Sequence, residues 1–224
     1  MTEMEKWIEN EFLPCLVKKT CVILDNSSEE LTKLDWHTGE SNTDTDFSNF
    51  AKNCCIQAFN EIDIRFKIQL KIDVPDLNLT LFNKEEILKK KIELKSTKSI
   101  DAKLPGSTIR TLDLNMWTII CLRDLSENKC QVRYGRYHLG IISNSHDTFQ
   151  DRSPRPHISF NQYQNPNEKP KMDLISTENN YWERYAECAI NRVVNPIGHS
   201  WQDDLVKEII KKVLKDPKKF KNIN

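Results

Sequence analysis

From Ile64 to Val74 the chain alternates without a break. Ile64, Phe66, Ile68, Leu70, Ile72 and Val74 fall on one parity, and Arg65, Lys67, Gln69, Lys71 and Asp73 on the other. A helix would scatter these apolar side chains around its circumference, whereas a strand puts every second residue on one face. The segment therefore specifies a half-buried strand, which needs neighbouring strands and a layer to cover its dry side. Alternation resumes after Pro75 with Leu77, Leu79 and Leu81 around Asn78 and Thr80. A polar turn, Asn83-Lys84-Glu85-Glu86, then precedes a further strand-like stretch, Lys91-Ile92-Glu93-Leu94-Lys95-Ser96. The nearly continuous apolar run from Met116 to Leu122 has the composition of a strand buried on both faces. Residues 130–142 supply one or two more strands, interrupted by Gly135 and Gly140.

Helical patterns flank this block. Residues 3–19 predict an amphipathic helix with Trp7, Ile8, Phe12 and Val17 on its apolar face, disturbed by Pro14. Residues 25–46, rich in Ser, Thr, Asn and Asp, read as an exposed loop. Asp46 is a candidate cap for a second helix running through Phe50, Cys54 and Ile56 towards Glu61. Two more helices are expected across Tyr181–Val194 and Asp203–Lys215. The latter carries the apolar rows Leu205, Ile209, Val213 and Val206, Ile210, Leu214. Helices, then sheet, then helices predict an α/β fold with a mixed central β-sheet flanked by helices. The 224 residues suit one domain, which at this size buries roughly 70% of its unfolded surface.

Several function classes drop out. No apolar run approaches the roughly 18 residues of a membrane span. The charged start Met1-Thr2-Glu3-Met4-Glu5-Lys6 lacks a signal-peptide core. The seven cysteines form no C-x-x-C, which argues against zinc ribbons and thioredoxin chemistry, so a reducing, cytoplasmic setting is expected. The five histidines show no metal-binding spacing, and the five glycines make no phosphate-binding loop. No G-x-S-x-G is present. The 33 basic and 33 acidic residues cancel, but residues 1–63 hold 13 acids against 5 bases. The rest of the chain is correspondingly basic, so a basic cleft is compatible with zero net charge.

The chemistry-bearing segment is Pro75-Asp76, sixteen residues, then Glu93-Leu94-Lys95. The acid-x-Lys spacing occurs four times, about what composition gives by chance, so context decides. Only Glu93 and Lys95 lie in an apolar-framed strand, sharing one face while Ile92 and Leu94 take the other. They also follow the chain's only Pro-Asp, across a turn that brings the two segments side by side. Two carboxylates held close repel each other, and a divalent cation between them removes the conflict. Such a cation polarises a phosphoryl oxygen and activates water, and a nearby lysine orients that water or stabilises the transition state. An ordinary hairpin with a surface Glu–Lys pair would carry the same letters.

Val74-Pro75-Asp76-Leu77 followed by Ile92-Glu93-Leu94-Lys95-Ser96 resembles the PD-(D/E)xK signature of type II restriction endonucleases. Pro105-Gly106-Ser107-Thr108-Ile109 and Trp117-Thr118-Ile119-Ile120 sit where such enzymes often place the following loop and strand. The signature spans about twenty residues of this chain and the wider likeness about fifty. The resemblance implies Asp76 and Glu93 as Mg²⁺ ligands, the Leu94 carbonyl as a third, and Lys95 as the catalytic lysine. It also makes Glu61, at the end of a preceding helix, a candidate extra ligand.

Further on, Arg152, Arg155 and His157 lie in a segment stiffened by Pro154 and Pro156. Arginines there suit guanine edges or phosphates, as do Arg133 and Arg136 beside Tyr134 and Tyr137. An ordinary surface loop is the competing reading. The expected organisation is a single nuclease domain over 1–224: a helical part at 1–62, the catalytic sheet at 63–142, a DNA-contacting loop at 143–172 and C-terminal helices at 173–224. The function expected is Mg²⁺-dependent, sequence-specific cleavage of double-stranded DNA at a palindromic site by a homodimer. A structure-selective nuclease (a junction resolvase or repair enzyme) and a non-catalytic DNA-binding module are the alternatives.

Overall fold

A computed structural model of the chain describes residues 1–34, 45–84, 86–105, 116–124, 127–140, 157–168 and 201–220. Its main sheet comprises β1 (Gln69–Asp73), β2 (Leu77–Phe82), β3 (Ile87–Thr97), β5 (Trp117–Asp124) and β6 (Lys129–Arg136), in the order β1-β2-β3-β5-β6. The pairs β1–β2, β2–β3 and β5–β6 are antiparallel and β3–β5 is parallel, so the sheet is mixed. Two short strands, β4 (Lys103–Pro105) and β7 (His157–Ser159), pair antiparallel as a separate ribbon. The expected α/β architecture with a mixed central sheet and flanking helices is present. Among the described residues, no helix is long and apolar enough to cross a membrane.

The alternation at residues 64–74 is realised, but the strand is shorter than the pattern. Burial alternates along the whole stretch, yet only Gln69–Asp73 pair with β2. Gln69 lies opposite Phe82, the last residue of β2, so residues 64–68 have no ladder partner there. Ile64 and Phe66 still pack on the core without being strand.

Two different layers cover the sheet. Leu77, Leu79, Ile92, Leu94, Trp117 and Ile119 face the N-terminal helices and join Trp7, Ile8, Phe12 and Leu16 in the larger core. These helices are α1 (Glu3–Trp7), α2 (Leu13–Asn26), α3 (Ser28–Thr32) and α4 (Thr45–Asn60). Between α1 and α2, Ile8–Phe12 form a π-helical turn in which the Leu13 N–H donates to the Ile8 carbonyl. The widened turn makes room for Pro14, whose ring and missing N–H do not fit an α-helix interior. The helix thus survives its proline and runs on to Asn26, into what the sequence presents as loop. In α4, Phe47, Ala51, Cys54, Cys55 and Ala58 are buried, but Ile56 is exposed and not on the packed face.

On the opposite sheet face, Met116, Ile120 and Leu122 pack with Tyr137, Ile158, Phe160 and Tyr163. Gly140 belongs to this second core, because a Cβ there would collide with the Tyr163 ring. Among the described residues this second core is built on β5. The same face is exposed, among the described residues, on β1, β2 and the start of β3, at Gln69, Lys71, Asp73, Asn78 and Lys89, and becomes buried further along β3 at Glu93 and Thr97. Cys121 and the rest of Trp117–Leu122 are buried, as the apolar run predicts. The C-terminal helix Trp201–Lys215 forms as expected, with Leu205, Ile209, Val213 and Leu214 exposed. The region of the expected Tyr181–Val194 helix lies outside the described residues.

The parity of β2 is open to measurement. Leu79→Ala, at a position 1% exposed, should cost about 2–5 kcal/mol in denaturant unfolding. Thr80→Ala, on the other face, should change stability by less than about 1 kcal/mol. Equal losses would mean that the register is shifted.

Candidate active site

The β1–β2 turn and the β2–β3 register create the site. Leu77 pairs with Ile92, which sets Asp76, the last turn residue, beside Glu93 on β3. Val74–Pro75 is a cis peptide, and Asp76 has a φ of 59°, in the left-handed region. Aspartate accepts that region more readily than most residues. Asp76 Oδ1 accepts a hydrogen bond from the Leu94 N–H at 2.9 Å, which fixes the carboxylate over the middle of β3.

Three further contacts close the cluster. Lys91 Nζ lies 2.9 Å from Asp76 Oδ2 and 2.7 Å from Glu93 Oε2. Lys95 Nζ lies 2.7 Å from Glu93 Oε1. Lys91, Glu93 and Lys95 share a face because they are two residues apart on one strand. The Glu93 side chain is 4% exposed, that of Asp76 23% and that of Lys91 37%, so the cluster runs from the interior to solvent. Thr118, fully buried, is the residue beside Glu93 on β5. Burial pushes the Glu93 carboxyl up, but the charge of Lys95 and the hydrogen bond from Lys91 outweigh it, and the group titrates below its ordinary value. Burial works against Lys91 as well, and its bonds and attraction to Glu93 and Asp76 leave it raised. The phenol of Tyr163 is raised chiefly by burial, with a contribution from the Glu93 charge.

The donor set suits a divalent cation. The Lys91 ammonium is itself a cation standing between an oxygen of Asp76 and an oxygen of Glu93. Two carboxylates with remaining positions left to water match the way Mg²⁺ is usually held. Among the described residues, no group of three His, Cys, Asp or Glu side chains offers an all-protein cage.

Asp76, Glu93 and Lys95 thus come together, and Leu94 joins them through its amide. Glu61 is engaged elsewhere: its carboxylate is 3.6 Å from Lys19 Nζ and accepts from Gln57 at 3.2 Å. Arg136 does not reach outward. Its guanidinium lies 4.3 Å over the Trp117 ring, 3.6 Å from Glu9 Oε2, and donates to the Glu9 carbonyl at 3.3 Å. Lys90 pairs with the same carboxylate, tying the π-helical turn to the covered sheet face. Arg133 stacks 4.4 Å over Phe160 and reaches Asn161 at 3.4 Å. His157 is buried in β7. Arg152 and Arg155, with most of the expected 143–172 loop, lie outside the described residues.

Sequence reasoning missed Lys91, Thr118 and Tyr163. The parity that joins Glu93 to Lys95 also includes Lys91, but in the run Lys89-Lys90-Lys91 it reads as one more solvated charge. Tyr163 is distant in sequence and gives no local signal. Comparison of the chain with protein-family models, with curated proteins and with solved structures returns no match.

The lowered Glu93 carboxyl has a definite linkage sign. A group depressed in the folded state stabilises above its unfolded pKa and loses that contribution as pH falls through the folded value. The wild type should therefore lose more stability than Glu93→Gln between about pH 5 and about pH 2. Urea unfolding at several pH values reads this slope, and parallel curves would remove Glu93 from the acid-sensitive groups.

Proposed function

We propose that the protein is a Mg²⁺-dependent nuclease that hydrolyses phosphodiester bonds of double-stranded DNA, acting at specific sites in the manner of type II restriction endonucleases. The observation that carries this reading is the convergence of Asp76, Glu93 and Lys95 at the border of an open sheet half. A buried carboxylate, a half-exposed one and a lysine within hydrogen-bonding reach are the groups such hydrolysis requires.

Asp76 Oδ2 and Glu93 Oε2 would hold the metal. When bound, Mg²⁺ supplies Lewis-acid polarisation of the phosphoryl oxygen and lowers the pKa of a coordinated water. The chain supplies the rest. Lys95, anchored on Glu93 Oε1, orients the attacking water and offsets negative charge gathering on the phosphate. The Leu94 amide keeps Asp76 in one orientation, so little reorganisation accompanies the reaction. The exposed face of β1, β2 and the start of β3 gives a phosphate backbone a route to this border, while Tyr163, close enough to feel the Glu93 charge, stands on its inner side.

One such set hydrolyses one strand, so symmetric cleavage of a palindromic site requires two chains about a common two-fold axis. Trp7, Ile8 and Phe12 are consumed by the core and are not free for this contact. The exposed row Leu205, Ile209 and Val213 is the surface we assign to it. A non-catalytic DNA-binding module is the second reading. It is favoured by Lys91 and Lys95 together neutralising Glu93 without a metal.

Purified protein incubated with a mixed-sequence plasmid should produce defined fragments with Mg²⁺ and none with EDTA. Glu93→Gln and Lys95→Ala should each slow cleavage by at least about a hundredfold while DNA affinity persists. Retained binding without metal-dependent cutting supports the second reading, and Glu93→Gln cutting near the wild-type rate would sink the proposed centre.

A further inference from the structure

Lys91 is the member of the cluster to which the proposed chemistry gives no task. Its contacts are nevertheless specific. Its ammonium meets one oxygen of Asp76 and one of Glu93, the two oxygens that would face a bound cation. Lys95 engages the other Glu93 oxygen and leaves this position alone. The Lys91 side chain is more exposed than either carboxylate, and it sits at the solvent edge of the group on a long flexible stem.

These facts constrain what happens at the site. Two carboxylates brought to one point by β2–β3 pairing repel each other unless something positive lies between them. In the metal-free protein that charge is Lys91. An ammonium and a divalent cation cannot share the same two oxygens at these distances, since like charges would be in contact. Occupation by one requires departure of the other.

We propose that Lys91 is an exchangeable counter-ion: its ammonium holds Asp76 and Glu93 together in the metal-free protein and yields Asp76 Oδ2 and Glu93 Oε2 to the divalent cation. The inference rests on the metal-centre reading above and adds a positioning residue to it. Two consequences follow. Metal affinity is set by a competition, so it is lower than the carboxylates alone would give. The released ammonium stays on the open sheet face, where a phosphate of the substrate offers it a new partner, so metal loading and substrate binding favour each other.

Calorimetric titration with MnCl₂ alone separates the possibilities, using the wild type, Lys91→Gln, Lys89→Gln and Glu93→Gln. Lys91→Gln should bind about tenfold more tightly than wild type, equivalent to about 1.4 kcal/mol. Lys89→Gln removes the same charge from the same open face without a carboxylate contact, and should change affinity by less than about twofold. Glu93→Gln should lose binding. Equal affinities for wild type and Lys91→Gln, or equal gains in both lysine variants, would overturn the counter-ion and leave the metal centre standing. Absence of binding in wild type and both lysine variants would overturn both readings. If Lys91→Gln fails to fold, the wild type still decides. The Lys91 ¹⁵Nζ signal, hydrogen-bonded without metal, should move to a solvent-exchanging position at saturating Mg²⁺, and an unmoved signal rejects the exchange.

Discussion

An ionised carboxyl taken out of water loses solvation on the order of several kcal/mol, and the surroundings of Glu93 are organised around that cost. The side chain is almost fully buried, yet its pKa is depressed, so the attraction of its neighbours outweighs desolvation. The neighbours are Lys91 and Lys95, one on each oxygen. Strand geometry is what makes this possible: positions two before and two after Glu93 are the nearest places on β3 that share its face. Asp76 adds a second negative charge, and its approach is tolerable because Lys91 lies between the two. Removing either lysine would leave a buried charge short of partners, which is more damaging than losing a surface pair.

The location of this group follows from how the sheet is covered. One face is dry along its whole width, sealed by the N-terminal helices and pinned to them by the Glu9, Lys90 and Arg136 contacts. The other face, among the described residues, is dry over β5, β6 and the latter part of β3, with Tyr137, Phe160 and Tyr163 packed on it, and exposed over β1, β2 and the start of β3. Glu93 stands where cover gives way to solvent. A cluster wholly under the second layer would have no contact with solvent, and one further out on β1 would have no low-dielectric wall to strengthen its charges. Gly140 contributes by letting the Tyr163 ring approach closely enough to complete that wall.

The fold and the core of the site are legible in the sequence for the same reason. Residue pattern is a local signal: a two-residue period gave the dry face of β2 and the common side of Glu93 and Lys95, and a continuous apolar run gave β5 buried on both faces. The turn at Pro75-Asp76 then required only adjacency. Where the reading fell short, the deciding partner lay far away in the chain. Ile64 to Ile68 alternate like strand, but β2 ends at Phe82 and leaves them nothing to pair with. Pro14 suggested a disturbed helix, and a single π turn absorbs it. Arg136 has the letters of a DNA contact, but Glu9 and Trp117, far away in the sequence, claim its charge and its flat face. Lys91 was hidden by its neighbours Lys89 and Lys90, since only depth separates a bridging ammonium from a solvated one.

Asp76 sits at a left-handed backbone position that excludes most side chains. Glycine and asparagine are the residues that keep such a turn at least cost. Both remove the carboxylate. The residues best able to preserve the hairpin at position 76 are therefore ones that strip the cluster of a carboxylate, and drift at this position leads to folded chains without the Asp76–Lys91 ion pair more readily than to collapsed ones. A chain carrying Asn or Gly here would keep the architecture and leave the Lys91 ammonium to Glu93 alone, so this one turn residue sets the charge of the cluster without deciding whether the sheet forms.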